Sequence, residues 1–338
     1  MIHLIKLDSE EEIKKIIAHS KQAALRALQS YDLEWKQIRY NQLSDTCTFV
    51  IETANEGLFL LRIHTGISRE EINSEIDWLD ALSEKIDVMI PKGIKDRNGS
   101  KTVKVDLENG YSCYASLMCW VEGEQLTGNL TEDQIYNEGI LLAKLHQVSQ
   151  EFEISANFVR PVWGEQSFRR AMSRLAHYYD RFLTEDEFQL YQLAAEKVLS
   201  SIGKLTMDKE MYGLIHGDLH QGNIVFHKEN PRPIDFGRCG FGYFFYDIAH
   251  TLLGLYPKQR EVVLKGYTRT RKLEGDWLSV LESFTVMVMI ENYAHHAPDP
   301  RETEGLKEEQ PYAQAIIKKY LIDAPFLFHP IEIKENGS

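Results

Sequence analysis

The residues HGDLHQGN at 216–223, followed by DFG at 235–237, are the part of the sequence that decides the fold. Short apolar pieces flank the first motif, LI before it and IVF after it, and they predict short strands joined by a polar loop. Longer stretches on both sides show helical periodicity instead. The motif therefore marks a place where carboxylate, amide and imidazole side chains are gathered in a loop between secondary structure elements.

The oxygen-bearing side chains of this region match the needs of phosphoryl transfer from ATP. Asp218 and Asn223 lie in one loop, and Asp235 follows the next predicted hairpin. The reaction requires a carboxylate that accepts or orients the proton of the attacking hydroxyl group. It also requires oxygen ligands for Mg²⁺, which neutralises charge on the phosphates. The three residues follow the order of the kinase pattern H-x-D-x-x-x-x-N and D-F-G.

On these residues the chain resembles the aminoglycoside phosphotransferase and choline kinase superfamily, whose HGDLHxGN motif stands here letter for letter. Members of that superfamily have a protein-kinase-like fold. The resemblance implies that Asp218 is the catalytic base and that Asn223 and Asp235 bind Mg²⁺. It also implies that His216 braces the loop and that Asp247 anchors it as a buried aspartate. ATP and Mg²⁺ are the cofactors that it implies.

The N-terminal part of the sequence supplies residues that are expected to hold the phosphates. Two β-rich runs around residues 55–57 predict a hairpin, and residues 69–85 carry apolar side chains at helical spacing. In kinases, a cation on the third strand holds the α- and β-phosphates and pairs with a glutamate on the next helix. The resemblance assigns these roles to Arg62 and Glu75. The alternatives are an exposed strand arginine and a solvated helix glutamate.

Two further nucleotide contacts are implied by the resemblance. The connector SLMCWVEGE corresponds to the segment that binds adenine, with Met118 behind the ring and the Cys119 carbonyl and Val121 N–H at its edge. The turn at 43–48 takes the place of the glycine-rich loop of protein kinases but contains no glycine. We therefore expect Ser44 and neighbouring hydroxyl and N–H groups to cradle phosphate.

The order of the predicted elements indicates an α+β fold with two lobes, and the resemblance implies that this fold is protein-kinase-like. Residues 1–118 are expected to form an N-lobe of one antiparallel sheet plus a helix, and residues 119–128 the hinge. Residues 129–338 are expected to form a mostly helical C-lobe with the catalytic loop and the substrate pocket. Each candidate pocket wall also fits plain core packing or a solvated face. The candidate walls are 161–163, 244–246 and 291–296.

Composition restricts the partners. The chain has 338 residues and a formal net charge of −13, which argues against nucleic acid as a partner. The charge would suit a cationic substrate, but it also serves solubility.

The four cysteines form no C-x-x-C pair, which favours a reducing, cytoplasmic compartment. No signal peptide is recognised, and the apolar run at 280–290 is interrupted by Glu282, so no membrane partner is expected.

The phosphate acceptor is predicted to be a hydroxyl group of a small molecule, such as an aminoglycoside, a choline-like alcohol or homoserine. Gly217 replaces the arginine of H-R-D, and the YDIA segment at 246–249 closely follows DFG. This leaves no room for the long activation segment on which a peptide substrate lies. A bacterial Ser/Thr protein kinase-like enzyme is the main alternative, and a nucleotide-binding pseudokinase is the second.

Overall fold

The structure is a computed structural model that describes residues 10–108, 110–126, 128 and 130–332. The chain divides into two compact units. The first comprises Met1–Glu124, Glu151–Pro161 and Arg232–Gly237. The second comprises Gln125–Gln150, Val162–Pro231 and Arg238–Ser338. The outer ends of the two predicted lobes, at 1–9 and 333–338, lie outside the described residues, as do Asn109, Thr127 and Asn129.

The first unit is built on a six-stranded sheet with helices α1 (Glu10–Leu28) and α2 (Arg69–Lys85). Its strands are β1 (Trp35–Leu43), β2 (Cys47–Thr53), β3 (Leu58–His64), β4 (Gly93–Ile94), β5 (Val103–Asp106) and β6 (Ser112–Cys119). The strand order is β1-β2-β3-β6-β4, with β5 also paired to β6, and every pairing is antiparallel. This confirms the predicted antiparallel N-terminal sheet with an inserted helix.

Strand β1 is an addition to the predicted hairpin. Of its nine residues only Leu43 is buried. A strand that is solvated along most of its length shows little alternation of apolar and polar residues, and that alternation is the main sequence signal for a strand.

Helix α2 carries Glu75 on its buried face. The helix begins with a capping box, in which Ser68 Oγ accepts from the Glu71 N–H and Glu71 Oε2 accepts from the Ser68 N–H, both at 3.1 Å. Ile72 and Ile76 are buried on either side of Glu75 in the sequence. The position of the Glu75 carboxylate is therefore set by an amphipathic helix whose first residue is fixed by the capping box.

Helices dominate the second unit, which confirms the predicted helical C-terminal part. Strands β7 (Tyr212–Ile215) and β10 (Gly240–Tyr243) form an antiparallel pair, and β8 (Ile224–His227) and β9 (Asn230–Pro233) form a hairpin. The helices are α3 (Glu132–Glu151), α4 (Glu165–Tyr178), α5 (Glu185–Ile202), α6 (Phe244–Leu252), α7 (Pro257–Tyr267), α8 (Trp277–His296) and α9 (Thr303–Leu321).

Helix α8 accounts for the apolar run at 280–290, because most of its side chains lie in the core. Glu282, which interrupts the run, accepts a hydrogen bond from the Phe326 N–H at 2.9 Å. Within the described part of the chain, no helix combines the length and the hydrophobicity that a membrane span requires. All four cysteines are free.

Helices α3 and α7 approach so closely that each requires a glycine. A Cβ atom on Gly139 would lie 1.9 Å from the Val263 carbonyl oxygen, and one on Gly266 would lie 2.1 Å from the Tyr136 carbonyl oxygen. Both distances are far below van der Waals contact, and the atoms met are backbone atoms that cannot rotate away. Glycine at these positions therefore sets how deeply the two helices pack.

Substitution of Gly139 tests this helix contact. Gly139→Ala should lower the melting temperature, because overpacking a tight contact costs about 1–3 kcal/mol or more. The control is Gly305→Ala in α9, where an added Cβ meets nothing within 4 Å. It should be neutral or stabilise by up to about 1 kcal/mol, since alanine is the better helix former. Thermal unfolding followed by circular dichroism measures both, and equal melting temperatures for Gly139→Ala and the wild type would contradict the close approach.

Candidate active site

The HGD loop, defined here as residues 216–223, joins β7 to β8 in the second unit. Gly217 has a φ of 78°, in the left-handed region that favours glycine. A Cβ atom on it would also lie 2.5 Å from the Arg238 carbonyl oxygen and 2.9 Å from Trp163 Nε1. Both the backbone conformation and the available space therefore require the glycine of the motif.

The Asp247 carboxylate anchors the start of the HGD loop. It is fully buried, and it accepts hydrogen bonds from the N–H groups of His216 and Gly217, both at 2.7 Å. His146 Nε2 lies 3.3 Å from Asp247 Oδ2, and His146 Nδ1 lies 3.0 Å from the Tyr267 hydroxyl. This is the contact that the resemblance implied for Asp247, and α3 and α7 both contribute to its surroundings.

Asp218 and Asn223 face each other within the loop. Asn223 Nδ2 donates to the Asp218 carbonyl oxygen at 2.9 Å and to Asp218 Oδ2 at 3.3 Å. Asn223 is buried, whereas the Asp218 side chain is 20% exposed. Because the amide nitrogen is directed at Asp218, Asn223 Oδ1 is the oxygen that this side chain can offer to another group. The loop thus presents a partly exposed carboxylate beside an amide of fixed orientation.

His250 lies on the other side of the Asp218 carboxylate, with its Nδ1 3.6 Å from Asp218 Oδ1. Burial holds the pKa of His250 well below its usual value, and the positive fields of Arg238, His220 and His216 act in the same direction. The ring is therefore neutral. A neutral imidazole next to a carboxylate can act only as a hydrogen-bond donor through one N–H, not as a counter-ion.

The structure brings together one residue from each candidate pocket wall of the second unit. Trp163 and Tyr246 stack with ring centroids 5.8 Å apart, and the Tyr246 hydroxyl donates to Glu291 Oε2 at 2.6 Å. The Arg238 guanidinium lies 4.8 Å from the Trp163 ring centroid. Burial raises the pKa of Glu291 to about 7, although the Tyr246 hydrogen bond and the Arg238 charge oppose this rise. Aromatic and charged groups are thus concentrated in this cluster.

Arg62 and Glu75, the predicted phosphate-holding pair, contact each other in the first unit. Arg62 Nη1 donates to Glu75 Oε1, and the two side chains are only 5% and 3% exposed. Arg160 Nη1 lies 3.8 Å from the second oxygen of Glu75. Burial, together with the charges of Arg62 and Arg160, holds the pKa of His64 well below its usual value, so this neighbour adds no third positive charge.

The DFG triplet lies in the same unit as this pair. Asp235 is exposed and has a φ of 58°, and a Cβ atom on Gly237 would lie 2.9 Å from Arg62 Nη2 and 3.3 Å from Asp235 Oδ1. Arg160 Nη2 donates to the Gly237 carbonyl oxygen at 2.6 Å. The structure therefore places Arg62, Glu75 and Asp235 together in the first unit, and Asp218 and Asn223 together in the second.

The remaining predicted nucleotide residues also lie in the first unit. Met118 and Val121 are buried, and Cys119 is partly buried at the end of β6. The Cys119 N–H donates to the Lys92 carbonyl at 2.8 Å, so it is engaged within the unit. Ser44 is exposed in the turn between β1 and β2, and its N–H donates to the Thr46 carbonyl at 3.1 Å.

The chemistry of the two predicted metal ligands, Asn223 and Asp235, fits Mg²⁺. Across the described ranges, 10–108, 110–126, 128 and 130–332, no group of three or more His, Cys, Asp or Glu side chains could hold a metal ion. Asn223 Oδ1 and the exposed Asp235 carboxylate are hard oxygen donors. Mg²⁺ typically takes one or two carboxylates from the protein and completes its shell with phosphate oxygens and water.

Sequence reasoning missed Arg160 and His250. Arg160 makes its contact across 77 residues of chain, and no local pattern indicates such a contact. The sequence did contain an indication for His250. This residue follows Asp247 by three positions, and positions i and i+3 share a helix face. Because the aspartate was expected to contact the loop, this spacing would have indicated that His250 faces the loop too.

The similarity to known proteins agrees with the chemistry that the site geometry suggests. The phosphotransferase enzyme family, APH, matches residues 34–282. Amicoumacin kinase of Bacillus subtilis (strain 168) is 24% identical over 297 residues, covering 82% of this chain and 84% of that protein. A microcompartment-associated aminopropanol kinase superimposes with a TM-score of 0.78 at 25% identity, over 91% of this chain and 99% of that one.

A second solved structure, amicoumacin kinase hAmiN in complex with AMP-PNP, Ca²⁺ and Ami, has a TM-score of 0.76 at 18% identity, over 96% of this chain and 99% of that one. The predicted α+β, kinase-like fold is thereby confirmed. The family match covers most of the chain and confirms the predicted class of enzyme, an ATP-dependent phosphotransferase with a hydroxyl acceptor. The chain belongs to the phosphotransferase enzyme family.

Proposed function

We propose that this enzyme transfers the γ-phosphoryl group of ATP to a hydroxyl group of a small molecule, with Asp218 as the catalytic base. The observation that carries the proposal is the pairing of Asp218 with Asn223 in a loop whose backbone is fixed by the buried Asp247 carboxylate. Such preorganisation is what phosphoryl transfer demands of a protein, because catalysis rests mainly on positioning and electrostatics.

In the proposed reaction, Asp218 takes the proton of the acceptor hydroxyl as its oxygen forms a bond to the γ-phosphorus. The bond between that phosphorus and the bridging oxygen of ADP breaks, and ADP leaves. Asn223 Oδ1 and Asp235 would hold Mg²⁺, which would neutralise charge on the phosphates. The partial exposure of Asp218 supports this role, because the carboxylate has to meet the substrate.

The first unit is proposed to hold the nucleotide. Arg62, fixed by Glu75, contacts the α- and β-phosphates, and Ser44 contributes its hydroxyl to the phosphate site. Adenine lies against Met118, with the Cys119 carbonyl and the Val121 N–H at its edge. The burial of the Arg62–Glu75 pair supports this assignment, because a guanidinium with a buried partner keeps its orientation without a ligand.

The acceptor is proposed to carry an amino group as well as a hydroxyl group. An aminopropanol kinase at 25% identity supports this class, because its name gives an amino alcohol. An amicoumacin kinase at 24% identity supports a small-molecule acceptor. The net charge of −13 favours the approach of a cation. A protein acceptor is disfavoured, because β10 and α6 follow Gly237 directly and leave no long segment to support a peptide.

An acceptor panel tests the reaction and the acceptor class together. With Mg-ATP, 1-amino-2-propanol and amicoumacin should be compared with choline, homoserine, an aminoglycoside and a protein substrate. 1,2-Propanediol is the matched control, because it keeps a hydroxyl and lacks the amine. We expect kcat/KM for an amine-bearing acceptor to exceed that of its amine-free control by about 10-fold or more, as a charge-assisted hydrogen bond provides. Phosphorylation of protein alone, or Mg-ATP binding without any turnover, would contradict the proposal.

Asp218→Asn should lower kcat by about 10² to 10⁴-fold, because it removes the proton acceptor and preserves the shape of the side chain. The affinity for ATP should change by less than about threefold, since the residue is not assigned to the nucleotide site. The control is Asp186→Asn, the same change at an exposed position in the first turn of α5. ADP release and calorimetric ATP titration measure both quantities. Full activity in Asp218→Asn would refute the role of Asp218.

Removing the partner of Arg62 should weaken ATP binding. Glu75→Gln should raise KM for ATP and lower the melting temperature, since breaking a buried ion pair costs about 3–5 kcal/mol. Arg62→Lys keeps the charge but loses the planar fork, so it should raise KM for ATP by about 10-fold with a smaller loss of stability. Glu84→Gln, an exposed change on the same helix, is the control. An unchanged KM for ATP in both test variants would exclude the phosphate-holding role.

A further inference from the structure

Helix α6 presents three polar side chains to the HGD loop from one face. Asp247, His250 and Thr251 are spaced at i, i+3 and i+4, which places them together on a helix. Asp247 accepts from the N–H groups of residues 216 and 217, and the Thr251 hydroxyl donates to the Leu219 carbonyl at 2.9 Å. Two of the three thus hold the loop backbone on either side of Asp218. The third, His250, lies beside the Asp218 carboxylate.

His250 is buried without satisfying its own polar atoms. Its exposed fraction is 0%, and within the residues that the structure describes neither ring nitrogen has a hydrogen-bond partner. Buried polar groups in folded proteins are nearly always hydrogen-bonded, so an exception of this kind calls for an explanation. The neighbouring acceptor is Asp218 Oδ1, 3.6 Å from Nδ1 and just beyond hydrogen-bond distance.

The surroundings of His250 determine what it can do there. Arg238, His220 and His216 disfavour the protonated ring, and burial disfavours it most strongly, so the pKa of His250 is held well below its usual value. The Tyr246 ring packs against it with centroids 4.9 Å apart. A neutral ring has one N–H to donate, and a carboxylate oxygen with spare lone pairs is the acceptor beside it.

We propose that His250 is a positioning residue that orients the Asp218 carboxylate by donating its Nδ1–H to Oδ1. This inference rests on the proposed role of Asp218. Asn223 Nδ2 approaches the other oxygen, Oδ2, at 3.3 Å, so each carboxylate oxygen has its own donor. Hydrogen bonds of catalytic groups are often long without substrate and tighten in the complex. Each carboxylate oxygen retains a lone pair that can accept the substrate proton.

Two substitutions of His250 distinguish positioning from packing. His250→Leu fills the site but cannot donate, so kcat should fall about 10 to 100-fold while KM for ATP stays within about twofold. Its melting temperature should be equal to or above that of the wild type, because the buried unpartnered nitrogens are removed. His250→Asn places an amide N–H near the position of Nδ1 and should recover most of kcat. A residue that only packs predicts the reverse order, with leucine tolerated and asparagine damaging.

The double variant Asp218→Asn, His250→Leu shows whether His250 acts through Asp218. If it does, adding His250→Leu to Asp218→Asn produces no further loss of residual turnover. The inference is overturned if His250→Leu keeps wild-type kcat, if His250→Asn recovers nothing, or if the two losses multiply in the double variant. Full activity in Asp218→Asn alone would instead refute the proposed function. The two failures are therefore distinguishable.

Discussion

The Asp247 carboxylate is the group on which the order of the HGD loop depends. A carboxylate removed from water needs strong compensating donors, and Asp247 obtains two from consecutive backbone N–H groups at 2.7 Å. Because both donors belong to the backbone, the carboxylate constrains the path of the chain more directly than a side-chain partner would. Its place in the first turn of α6, where the helix dipole favours negative charge, adds to the compensation. The positive φ of Gly217 allows the chain to turn there.

In the first unit, a buried carboxylate is stabilised by two guanidinium groups instead of backbone N–H groups. Glu75 contacts Arg62 through one oxygen and lies 3.8 Å from Arg160 through the other. Arg160 also donates to the Gly237 carbonyl, so one cation links α2 to the DFG turn. A buried ion pair is a weak source of stability but a strong source of geometry, because losing one partner leaves an uncompensated charge. This arrangement suits the proposed role of Arg62, because it keeps the guanidinium in a fixed orientation.

The features that the sequence predicted well are those encoded locally. Helix α2 spans the predicted residues 69–85, because its capping box and its apolar spacing agree. The motif loop was predicted because its residue types and spacing carry chemistry that few other loops need. Strand β1 was not predicted, because its side chains are largely solvated. Arg160 was not predicted either, since its role arises from packing between distant segments. Local sequence features thus predicted the secondary structure elements and the motif loop. The residues that support the charged groups could be identified only from the three-dimensional fold.

The departures from ordinary packing are concentrated around the motif residues. Burial raises the pKa of Glu138 to about 8, and this acid accepts a hydrogen bond from Gln221 of the HGD loop at 2.8 Å. Its other oxygen is buried and has no partner among the described residues. His250 is likewise unpaired in the described structure, and Asp235 has a left-handed backbone conformation that is uncommon for residues other than glycine. A buried polar atom without a partner opposes folding. Strained and unsatisfied groups persist where the surrounding structure fixes them, and such places are typically functional. In the second unit, Glu138 contacts the HGD loop and His250 lies beside Asp218. In the first unit, Asp235 is itself the predicted metal ligand. Within each unit, the cost to stability therefore falls at or beside residues with a proposed chemical role.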